Sequence, residues 1–99
     1  MNIGKLYKNN GRFWFLYPSK DIAVTAATAT RPAATTYADD VAAYLSKHFK
    51  CNVSYIKPNS VFCLLEKDGE FIKVLSTNGE VGWIILDDWC KNYIEEVKV

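Results

Sequence analysis

The sequence predicts a mainly β domain carrying one α-helix, and three observations predict it. Residues 61–86 hold three short apolar runs, Val61-Phe-Cys-Leu-Leu-Glu66, Phe71-Ile-Lys-Val-Leu-Ser76 and Val81-Gly-Trp-Ile-Ile-Leu86. Asp68-Gly69 and Asn78-Gly79 separate those runs, and such dipeptides tolerate the positive φ of tight hairpin turns. Between the aromatic N-terminal stretch and this meander, residues 37–49 repeat apolar side chains at helical spacing. A chain of 99 residues is expected to form one domain with a small core.

The meander is expected to be three-stranded and antiparallel, with type I′ turns at both Gly-containing dipeptides. Upstream, 3–8 reads as a short strand, Asn9-Asn10-Gly11 as a turn, and Arg12-Phe13-Trp14-Phe15-Leu16-Tyr17 as an aromatic strand closed by Pro18. Together these read as a first hairpin. Residues 21–36 are rich in Ala and Thr without a clear period, and read as a flexible exposed loop. Thr36 can cap the 37–49 helix, with Asp39 three residues on. Asp39 and Asp40 near its start and Lys47, His48 and Lys50 near its end complement the helix dipole. Tyr37, Val41, Tyr44, Leu45 and His48 form the face expected to pack on the sheet. Residues 52–56 read as a strand, 87–90 as a single helical turn, and 93–97 as a closing strand.

Half the residues are apolar and the net charge is +1, which excludes a disordered chain and a partner chosen by overall charge. Residues 1–50 hold seven Lys/Arg against three Asp/Glu, and 51–99 hold five against eight. Three cysteines without framework spacing (Cys51, Cys63 and Cys90) suit a reducing, cytoplasmic setting, with Cys63 expected in the core. There is no leader-like segment and no apolar run near the ~20 residues of a membrane span, so a membrane partner is not expected.

The order of strand, tight turn, strand, tight turn, Gly-Trp-Ile, helical turn and closing strand resembles a Src-homology-3-like barrel of bacterial or phage type. The resemblance covers roughly 53–97 and is carried by Gly69-Glu70-Phe71-Ile72-Lys73-Val74 and Gly79-Glu80-Val81-Gly82-Trp83-Ile84. It implies a small antiparallel barrel with the helix inserted between the first hairpin and the meander. It also implies a small accessory or regulatory protein of phage or bacterial origin. The family's peptide groove is built from aromatics, and Phe71, Trp83 and Tyr7 stand at matching positions. Ile85 replaces the family's Pro, and Asp88 or Trp89 its helical-turn Tyr. The implied partner-binding set is Tyr7, Phe71, Trp83 and Trp89, on a non-catalytic protein-interaction module. A protein partner of unspecified identity follows from it.

A second class of function rests on the residues. Lys5, Lys8, Arg12 and Trp14 interleave cations with aromatics, as nucleic-acid surfaces do, with cations on phosphates and rings on bases. Those same aromatics could instead form core. Catalysis is not expected. His48 and Cys51 lie three residues apart, but His48 falls on the apolar helix face, where a packed imidazole is the plainer reading. The pair supplies two ligands where a structural zinc needs four, so neither metal nor cofactor is expected. Asp87, Asp88, Glu95 and Glu96 form an acidic cluster that reads as a solvated rim or a docking edge.

Overall fold

The three runs of the meander are the longest of the described strands, and the other described elements are arranged around them. The structure is a computed structural model and describes residues 2–11, 13–29, 38–86 and 90–98. In chain order the elements are β1 (Leu6–Asn9), β2 (Trp14–Leu16), α1 (Lys20–Ala29), α2 (Ala38–Phe49) and β3 (Ser54–Ile56). There follow β4 (Val61–Asp68), β5 (Phe71–Ser76), β6 (Val81–Ile85), a 3-10 turn (Cys90–Tyr93) and β7 (Ile94–Glu96). One sheet has the order β6-β5-β4-β1-β7 and the other pairs β2 with β3, all neighbours antiparallel.

The meander falls where the apolar runs and turns place it, but the turns are not type I′. Asp68 pairs with Phe71, so Gly69 and Glu70 form the first turn, and positive φ falls on Gly69 (61°) and not on Glu70. In the second turn Gly79 takes φ of 82° while Asn78 does not. Each turn therefore needs one left-handed residue, and glycine supplies it without a Cβ penalty. A bulge at Leu65 lets Leu64 face Val74 and Glu66 face Lys73, which adds local twist.

The expected first hairpin does not form. β1 pairs with β4 and β7, whereas β2 pairs with β3 in the other sheet. Asn9, expected in a turn, is fully buried and pins the chain between sheets. Its Nδ2 donates to the Lys57 carbonyl at 2.9 Å, and its Oδ1 accepts from the Ser60 amide at 3.1 Å. A buried amide with both ends satisfied fixes this connection.

The barrel that the resemblance implies is also overturned. Closure needs one continuous staggered ladder around all strands. Here the two sheets stay open and are joined at a single bridge, in which Tyr17 and Trp83 exchange backbone bonds of 2.8 and 2.7 Å. The three-residue strands β2, β3 and β7 are too short to carry a ladder round. Gly82 permits the close approach at the seam, since a Cβ there would lie 2.6 Å from Leu16 Cγ and 2.8 Å from the Tyr17 carbonyl oxygen.

Among the described residues two helices, not one, lie between the N-terminal strands and the meander. The stretch expected to be a loop is helical from Lys20 to Ala29. Ser19 caps it, its Oγ accepting from the Ile22 amide at 3.3 Å, and Asp21 sits in the favourable first turn. Residues 30–37, including the expected cap Thr36 and Tyr37, lie outside the described residues. α2 ends in a Schellman arrangement: Lys50 takes φ of 53°, and the Cys51 amide donates to the Ser46 carbonyl at 3.1 Å. The buried side of α2 is Ala42 and Leu45, with Val41 and Phe49 half-buried. Tyr44 and His48, expected on that side, are instead exposed and stack on each other.

The aromatic-rich composition is divided between two cores. The first fills the space between the sheets with Tyr7, Trp14, Leu16, Ile56, Phe62, Leu64, Ile72, Val74, Ile84 and Leu86. The second lies where α1 covers the outer face of β5 and β6 and α2 packs beside β3. There Tyr17, Ala23, Ala26, Leu45 and Val53 meet Phe71, Trp83 and Ile85.

Candidate interaction surface

Strand alternation decides what the five-stranded sheet shows to solvent. Tyr7, Phe62, Leu64, Ile72, Val74 and Ile84 point inward, so their neighbours along each strand point outward. The register then places Leu6 opposite Cys63, Cys63 opposite Leu75, and Leu75 opposite Val81. These four side chains form one row across four strands. Leu6 is 40% exposed, Leu75 36% and Val81 50%, and Cys63 between them is half-buried. Cys63 is thus a member of the outer row and not the core residue expected. The three aliphatic members of the row are half of the large exposed apolar side chains among the described residues; Ile3, Val24 and Tyr44 are the others.

Charged side chains flank the row. On one side Glu66 faces Lys73, with their charged atoms 3.8 Å apart; on the other Lys8 faces Glu95 in register. The flanks are electrically balanced, so the row presents an apolar stripe without a dominant field. Beyond Glu66 and Lys73, the outer face continues into Trp83, Phe71 and Ile85, and there α1 covers it. Lys20 at the start of α1 pairs with Asp68 at the meander's first turn.

The sequence-predicted partner set is therefore divided. Tyr7 is buried in the first core, and its hydroxyl bonds the Asn2 backbone. Phe71 and Trp83 lie on one side of the meander but are half-buried beneath α1. Trp89 lies outside the described residues, as do Asp87 and Asp88, while Glu95 and Glu96 are exposed on β7. Of the nucleic-acid set, Lys5 is exposed and Lys8 half-buried, Arg12 lies outside the described residues, and Trp14 is only 5% exposed within the first core. The exposed row escaped sequence reasoning because its members stand far apart in the chain. Only the pairing register brings them together.

Among the described residues, no chemistry-bearing cluster competes with this surface. His48 is exposed against Tyr44 and Phe49. Cys51 is half-buried beside the second core, and burial pushes its thiol pKa up. Burial, and secondarily the neighbouring Cys51, pushes the Tyr17 phenol up to about 12. Among the described residues, no three His, Cys, Asp or Glu side chains converge as metal ligands. A groove of about 510 Å³ runs beside β3, but its walls are mainly hydroxyls and amides, and Ser46 and Ser54 there are bonded to Val53 and Glu80. No described helix is long and apolar enough to cross a membrane. The chain matches no protein-family model, no curated protein and no solved structure.

Proposed function

We propose that this chain is a non-catalytic protein-interaction module, with Leu6, Cys63, Leu75 and Val81 at the centre of its docking surface. The observation that carries the reading is that row. Apolar side chains exposed singly are ordinary, but four in register across four strands form a contiguous patch, and such patches mark interaction sites. The balanced flanking charges suit a protein surface better than a polyanion. The burial of Trp14 removes the ring that base stacking would use, which favours protein over nucleic acid. A four-residue stripe is smaller than the ~800 Å² per partner of a stable complex. It fits a transient contact, as an accessory or regulatory protein makes.

The reading is tested with Leu75→Thr combined with Val81→Thr. Both positions are exposed and threonine keeps strand propensity, so the fold is retained. Capture of the partner from host lysate is expected to be lost while the melting curve stays within a few degrees of the parent. Capture that survives the double change would refute the surface.

A further inference from the structure

We infer that α1 is a displaceable cover, and that the surface of Phe71, Trp83 and Ile85 beneath it accepts an amphipathic helix of a partner protein. The inference rests on the reading of the chain as a protein-binding module. It deepens that reading by naming the chemistry of the partner.

The occupant is read from what already sits there. α1 lies on β5 and β6, placing Ile22, Ala23 and Ala26 against Phe71, Trp83 and Ile85. Ala23 and Ala26 are fully buried, so the helix axis comes close to the sheet and larger side chains at those two positions would be excluded. Lys20 reaches Asp68 at the edge of the same surface. The surface therefore selects a helix with a basic residue near its start, a branched aliphatic two positions on, and small residues three apart.

The cover is lightly held. Two alanines and one half-buried isoleucine are its apolar anchors, while Asp21, Val24, Thr25 and Thr28 face solvent. Over its ten described residues α1 depends on packing to hold its helical form. Thr25 and Thr28 bond back to the carbonyls of Asp21 and Val24, a pattern that loosens helices. Its tether, Lys20–Asp68, is exposed and hence weak. The surface beneath is different, because Phe71 pairs with Ile85 and Lys73 with Trp83 in the meander ladder. Lifting α1 leaves that ladder intact and joins the covered aromatics to the Leu6–Cys63–Leu75–Val81 row.

Two measurements on the full chain test this. In native-state hydrogen exchange, α1 amides are expected to exchange at least ~100-fold faster than those of Leu64, Val74 and Ile84. Exchange within tenfold of those strands would overturn the inference. The second uses a fluorescein-labelled peptide with the sequence of residues 18–29 as probe, read by polarisation. Ala26→Gly loosens the cover and is expected to bind the probe at least fivefold more tightly than the parent. Lys20→Ala, which cuts the tether but leaves Asp68 and the packing residues of α1 unchanged, is expected to shift affinity the same way. Adding Trp83→Ala to Ala26→Gly is expected to abolish binding. Equal affinity in the parent and both loosened variants would overturn the inference. Leu75 and Val81 take no part in these measurements. Failure here with loss of capture in the threonine variant sinks the cover alone; the opposite pattern sinks the docking row alone.

Discussion

Gly82→Ala tests the joint between the two sheets. The added methyl carbon would lie 2.6 Å from Leu16 Cγ, 3.0 Å from Leu16 Cδ1 and 2.8 Å from the Tyr17 carbonyl oxygen. Leu16 is buried in the first core and has little room to rotate away. The Tyr17 carbonyl cannot move independently, because it accepts from the Trp83 amide at 2.7 Å while the Tyr17 amide donates to Trp83 at 2.8 Å. Relief therefore requires β2 and β6 to separate. Overpacking costs about 1–3 kcal/mol, and weakening two buried backbone bonds adds roughly 1 kcal/mol each, for a total of about 3–5 kcal/mol. That is a large fraction of the stability of a domain this small. Urea unfolding followed by tryptophan fluorescence gives the value directly. A loss below about 1 kcal/mol would mean that the sheets are not in contact at this seam.

The remaining expectations concern other joints. Asn9→Ala leaves the Lys57 carbonyl and the Ser60 amide without their side-chain partner and is expected to cost about 2–4 kcal/mol in urea unfolding; a loss under 1 kcal/mol would remove Asn9 as the pin. Lys50→Gly removes a side chain from a left-handed position and is expected to stabilise the chain by about 1 kcal/mol, read as a raised unfolding midpoint; no gain would count against the αL ending of α2. Between the ordinary Tyr pKa of 10.0 and about 12, the unfolded chain has lost the Tyr17 proton that the folded chain keeps. Stability linked to the buried phenol is thus complete below that window and falls as pH rises through it. Tyr17→Phe is expected to flatten this slope in alkaline melts, and an unchanged slope would refute the assignment.

The sequence was most legible where structure is local. The meander, α2 and the closing strand depend on turn dipeptides and periodicity within a few residues, and they stand within a few residues of expectation. α1 was missed because its buried face is Ala23 and Ala26, which do not register as an apolar stripe; the Ser19 cap, Asp21 and the run of helix-favouring alanines were the available signals. The false hairpin has a similar cause. Asn9-Asn10-Gly11 reads as a local turn, yet Asn9 bonds to residues 57–60 and the Asn10 amide to the Tyr93 carbonyl at 2.6 Å, about fifty and eighty residues away. Whether the sheets close is likewise non-local, since it depends on three-residue strands meeting or missing one another. Of the residues singled out for a partner, Phe71 and Trp83 share one face of the meander, but what covers them lay in the unrecognised helix. The exposed row required the register of three strand pairs, which no single stretch of sequence carries.

The most direct test of the account is site-specific photo-crosslinking in host lysate, with benzoylphenylalanine at position 75, 81 or 52. Leu75 and Val81 belong to the exposed row, and Asn52 is exposed beside the β3 groove. Positions 75 and 81 are expected to yield the same protein adduct, insensitive to nuclease, with none at 52. Equal adducts at all three positions, or adducts that nuclease removes, would contradict the docking row.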